Sequence, residues 1–123
     1  DIYSNSIGVR DDFAKANPQV VRGFVKAALR GWKDALANPE DAAKVQLQYL
    51  RALDPVIVAE EVKILRRLAI TPDVEKSGFG VMTKEKKART IDFMNANVDV
   101  QGTKRTLADV MVEGFLPAEA IKP

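Results

Sequence analysis

Three pairs punctuate this 123-residue chain, each with a short polar residue just before a proline: Asn17-Pro18, Asn38-Pro39 and Asp54-Pro55. An Asn or Asp at a helix N-cap accepts a hydrogen bond from an orphan N–H of the first turn. Proline at the next position gives up an N–H that has no helical partner, and its fixed φ suits the first turn. Apolar residues follow each pair at three- and four-residue steps, so each pair predicts a helix start. The strongest stretch runs over 18–37. There Val21, Phe24, Val25, Ala28, Leu29, Trp32, Ala35 and Leu36 share one face, with Arg22, Lys26, Arg30, Lys33 and Asp34 mostly elsewhere. Trp32 is expected to be buried there beside Phe24, Val25, Leu29 or Leu36, because aromatic burial dominates packing.

Further helices are predicted over 39–50 and 55–68. Another runs to about residue 95 behind a Thr83 cap, with Ala88, Ile91, Phe93 and Met94 inward. A short helical turn fits 11–16, and another starts at Thr106. Thr71-Pro72 and Ser77-Gly78-Phe79-Gly80 read as breaks, the second a turn around a docking aromatic. Phe115 and Leu116 read as a buried terminal docking segment. Residues 2–9 alternate between two faces and predict an extended strand. The expected fold is therefore mainly α: one N-terminal extended strand followed by packed helices. Gly23, Ala27 and Gly31 form a small stripe inside the longest helix, where Gly costs about 1 kcal/mol against Ala. Tight helix packing or room beside a ligand cleft would each account for it.

The residues withhold most catalytic chemistry. With no histidine, the usual neutral-pH acid–base group and commonest metal ligand are missing. With no cysteine, there is neither a disulfide framework nor a thiolate. No nucleophile elbow or phosphate-cradling loop occurs. Glu60 and Glu61 are adjacent, so on a helix they diverge, and Asp11 and Asp12 read as first-turn charges favoured by the dipole. No catalytic residue, metal site or cofactor is expected. A formal charge of +2 is too near neutral for a nucleic-acid surface, and Lys84, Lys86, Lys87 and Arg89 read as a solvated helix face. The dense cluster of uncharged hydrogen-bonding side chains is Tyr3, Ser4, Asn5 and Ser6. A strand presents alternate side chains, so Tyr3, Ser4 and Asn5 are the candidate ligand-binding residues. A solvated edge strand is the competing reading.

The stretch from Asp11-Asp12-Phe13-Ala14 through Asn17-Pro18, Val21, Phe24, Ala28, Gly31-Trp32 and Ala35 to Asn38-Pro39-Glu40 and Ala42 resembles a known pattern. It is similar to the C-terminal half of periplasmic substrate-binding proteins of ABC importers. The nearest group handles sulfonates, taurine, nitrate and thiamine-pyrimidine precursors. Gly78-Phe79-Gly80, Met82, Arg89-Thr90-Ile91-Asp92 and Phe115-Leu116-Pro117 are similar to later parts of that pattern. The resemblance implies a two-lobed α/β type II binding protein that closes on its ligand about a hinge. Residues 1–123 would then be a single domain or a fragment, with a crossing strand at 1–10 and a helical part at 11–123.

By the same resemblance, the expected function is capture of a small polar organic or anionic ligand without bond chemistry. The implied partners are the importer's membrane subunits and a missing N-terminal lobe, and the implied location is periplasmic or extracytoplasmic. Apolar faces left bare by that lobe would drive self-association. Two rival readings are a self-contained helical interaction module and a piece of a thiamine-pyrimidine synthase-like enzyme, whose metal-binding residues would lie upstream. The chain opens at Asp1 without Met, which reads as a processed protein or a fragment.

Overall fold

The computed structural model describes residues 2–3, 5–98 and 102–123. In chain order the helices are α1 (Asp11–Ala16), α2 (Pro18–Ala37), α3 (Pro39–Tyr49), α4 (Pro55–Ala69), α5 (Pro72–Ser77), α6 (Lys84–Asn97) and α7 (Leu107–Val110). All three proline pairs open helices.

The caps themselves differ from expectation in a way the spacing explains. Asn17 alone separates α1 from α2, and Asn38 alone separates α2 from α3. Each must close one helix and open the next. Neither side chain caps the helix ahead of it. The Asn17 amide donates backwards to the Phe13 carbonyl at 3.3 Å, and the Asn38 amide to the Asp34 carbonyl at 3.5 Å. They thus serve orphan carbonyls at a C-terminus. Their backbone, at φ −131° with ψ 53° and 74°, is outside the extended region that an N-cap adopts. Asp54 does not end a helix. It sits at φ −74°, ψ 123°, and its carboxylate accepts from the N–H groups of Val56 at 2.8 Å and Ile57 at 3.4 Å. Thr71-Pro72, read from sequence as a break, opens α5 in the same manner, with the Thr71 hydroxyl accepting from the Val74 N–H at 3.4 Å.

One stripe of α2 organises the core. Val21, Val25, Leu29 and Leu36 are buried together with Ala14 of α1, Val62 of α4 and Phe79 of the turn after α5. Ala42, Ala69, Ile70, Val74, Phe115 and Ile121 pack around them. α3 and α4 form the most extensive helix pair, folded back on each other, with Ala43 and Val58 buried.

Several apolar expectations fail, each for lack of a neighbour. Trp32 is 42% exposed and Phe24 is 61% exposed. Phe24 lies on a flank of α2 outside the buried stripe, and no described element covers it. Gly23 and Gly31 have open space where a Cβ would stand, so the small stripe makes no close packing here. In α6, Phe93 and Met94 are exposed and the buried residue is Thr90. Phe115 is half-buried as a docking residue, whereas Leu116 is exposed. The expected strand at 2–9 is also not formed among the described residues: no sheet partner lies alongside to take its N–H and C=O groups, and residues 5–10 are exposed.

The last residues run as an irregular strap back across α2. The Arg22 guanidinium donates to the Gly114 carbonyl at 3.2 Å and lies 5.7 Å from the Phe115 ring centre. The Lys33 ammonium donates to the Lys122 carbonyl at 2.7 Å, and the Phe79 N–H to the Ile121 carbonyl at 2.8 Å. Lys87 of α6 pairs with Glu113 at the start of the strap. Gly78, at φ 92° and ψ 168°, permits this seat, because a Cβ there would stand 3.0 Å from the Ile121 carbonyl oxygen.

Three outcomes are expected. Leu36 is 1% exposed, so Leu36→Ala should cost about 2–5 kcal/mol in urea unfolding, and Trp32→Ala clearly less. Gly78→Ala should cost about 1–3 kcal/mol, from backbone strain alone, in the same measurement. The third concerns Asp109, whose carboxylate accepts from the Thr106 N–H at 2.7 Å and the Thr106 hydroxyl at 2.8 Å. These bonds, the backbone one foremost, hold its pKa below the ordinary aspartate value. A folded pKa below the unfolded one gives stability that is present above the unfolded value and lost as pH falls through the folded value. NMR of α7 should therefore show the turn loosening below about pH 4, and Asp109→Asn should remove that dependence.

Candidate functional site

The N-terminal segment reaches the helical body through Tyr3. Its hydroxyl accepts from the Thr83 N–H at 2.9 Å, at the N-terminus of α6. Its own N–H donates to the Thr90 hydroxyl at 3.1 Å. Thr90 in turn donates to the Lys86 carbonyl at 2.8 Å. The Lys86 ammonium stands 4.7 Å from the Tyr3 ring centre, a cation–π contact. Thr90 is the buried polar side chain of the described core, and these bonds satisfy it. Sequence periodicity missed Thr90 because a threonine on a polar helix carries no apolar signal. Its i−4 backbone bond, to a carbonyl one turn earlier, is a packing detail invisible in spacing.

Lys86 and Lys87, read from sequence as part of a solvated face, are instead half-buried, one against Tyr3 and the other paired with Glu113. The Lys87 ammonium holds the Glu113 carboxylate below its ordinary pKa.

Of the candidate ligand-binding residues, Tyr3 is half-buried and Asn5 is exposed. Ser4 lies outside the described residues. Two shallow depressions mark the described surface. One is lined by Val9, Arg10, Asp12, Phe13 and Ala16, where the Arg10 guanidinium clasps the Asp12 carboxylate and holds its pKa down. The other lies between the end of α2, the start of α3 and the outer side of α4. Lys63 bridges Glu40 at 3.2 Å and Glu60 at 2.9 Å there, raising its own pKa through those bonds, Glu60 first. Neither depression includes Tyr3 or Asn5. Among the described residues no group of three or more His, Cys, Asp or Glu could hold a metal ion. Among them, too, no helix is long and apolar enough to cross a membrane.

The arrangement brings together hydrogen-bonding groups of the N-terminal segment and of α6 around Tyr3. Residues 1–42, which hold that segment, α1, α2 and the start of α3, match the family described as NMT1/THI5 like. A riboflavin-binding protein, RibY of Chloroflexus aurantiacus, is 42% identical over 50 residues. That match covers 41% of this chain and spans only 14% of the relative's length. No solved structure matches. These similarities support a place among substrate-binding proteins, and point to binding rather than catalysis.

Proposed function

We propose that the chain works in solute capture, as the C-terminal part of a substrate-binding protein that serves an ABC importer outside the cytoplasm. The observation that carries this reading is the position of the family match. It falls on residues 1–42, where an N-terminal segment with no sheet partner among the described residues leads through α1 into the two-faced helix α2. Such a segment and such a helix are suited to a sheet and a second lobe supplied by further chain. In this reading residues 1–10 cross between lobes. Tyr3 positions the crossing through its bonds to α6, and Ser4 and Asn5 offer short polar groups to the ligand.

The ligand would be small and polar or anionic. Sulfonates, taurine, nitrate and thiamine-pyrimidine precursors remain candidates from the resemblance. A flavin joins them, because the similar protein from Chloroflexus aurantiacus is named for riboflavin. A single open wall leaves most of a ligand wet, whereas productive sites bury roughly 70–90% of its surface.

Calorimetry tests this directly. The 123-residue chain titrated with each of these compounds should give no saturable heat, and riboflavin fluorescence should be unchanged by it. The two-lobed protein that includes this sequence should bind one class with one-to-one stoichiometry, and Asn5→Ala there should weaken it by about tenfold, the loss of one buried hydrogen bond. A micromolar one-to-one response from the isolated chain would overturn the reading, since it would mean a complete site within these residues.

A further inference from the structure

α4 is apolar on two sides. Val58 and Val62 are buried on one of them. On the other, Ile57, Ile64 and Leu68 come at seven- and four-residue steps, and Ile57 and Leu68 are 58% and 69% exposed. Leu65 lies beside this row, and the turn feeding α4 adds the exposed Leu50 and Leu53. The six are 37–69% exposed, and side by side they would rival the largest patch on an ordinary monomer, about 300–600 Å². With a polar rim they approach the ~800 Å² that each partner contributes to a standard interface. α2 also carries large exposed apolar residues, Val20, Phe24 and Trp32.

The charges at the rim choose both the occupant and its direction. Glu60 and Arg67 lie seven residues apart on one flank of the row. Glu60 engages Lys63 through a single oxygen, and Arg67 makes no hydrogen bond or ion pair with the described residues. A second α4 laid antiparallel about a two-fold axis near Ile64 sets Glu60 against the partner's Arg67, and Arg67 against the partner's Glu60. In that register the axis falls between Lys63 and Ile64, so the two copies of Ile64 lie close to it, and Ile57 stands opposite the partner's Ile70, about half a turn from the partner's Leu68. In a parallel arrangement this flank would meet the partner's Glu61 flank, which sets a like charge near Glu60 and offers Arg67 no carboxylate at its own level. Glu61, on the other flank beside Leu65, stays at the solvent edge. We infer that the outer face of α4 with the α3–α4 turn is a homodimer interface, isologous and antiparallel. Self-association through this face does not depend on solute capture.

Sedimentation equilibrium of the 123-residue chain, between about 1 and 100 µM, should show a monomer–dimer equilibrium. Ile64→Glu should weaken dimerisation by roughly tenfold or more, with the helical circular dichroism unchanged because Ile64 is 46% exposed and outside the core. Phe24→Glu, on the other bare face, should leave it intact. Arg67→Glu and Glu60→Arg should each weaken it, and the double exchange should restore it. A monomer throughout the range would overturn the inference, including the case in which this face is covered by further chain in a longer protein. So would association that Phe24→Glu abolishes, or a double exchange that fails to rescue.

Discussion

Most of the described core meets the stripe from Val21 to Leu36 on α2. Ala14 reaches it from α1, Ala42 from α3, Val62 and Ala69 from α4 and Val74 from α5. Phe79 comes from the following turn, and Phe115 and Ile121 from the C-terminal strap. The helices are mostly too short to hold themselves in water, since isolated helices under about 12–15 residues are marginal. α1, α5 and α7 have six, six and four residues. Their helicity is therefore a consequence of burial against α2 or, for α7, of the Thr106–Asp109 cap. A core this small leaves little stability in reserve.

The single-residue joints at Asn17 and Asn38 place the stripe. With no spacer, α1 and α3 cannot move far from the ends of α2, and Ala14 and Ala42 fall within reach of it. The Asp54 cap is different in kind. It lies after a turn of several residues, and its carboxylate alone is free to fix where α4 begins.

Helix positions were readable from the proline pairs because a cap and a fixed φ are local facts. Which apolar residues end in the interior was less readable. Spacing says that Phe24 and Val25 are both on α2, but only the presence of a neighbour decides that Val25 is dry and Phe24 wet. Trp32 shows the same limit near the helix end, where covering elements run out. The strand expected at 2–9 failed for a related reason: alternation describes a strand's faces, while hydrogen-bond partners must come from elsewhere. Tyr3 was singled out by its polar neighbours. Its use as an anchor on α6 depends on Thr83 and Thr90, 80 and 87 residues away, and on a buried threonine that no periodicity marks. Short exposed ion pairs such as Lys44–Asp41 contribute little either way.

The strap has a bearing on how this chain is made. Its bonds join Arg22 to Gly114 and Lys33 to Lys122, so α2 receives cover from residues made some ninety positions later. On a ribosome, which makes the chain from the N-terminus at roughly 5–20 residues per second, α2 through α6 emerge while part of that stripe is still bare. The loops that the strap closes span 92 and 89 residues, and their closure entropy must be met before the contacts return anything. The chain therefore passes through an interval in which the α2 stripe is synthesised but not yet sealed, and the emergence of the strap is the event that ends it.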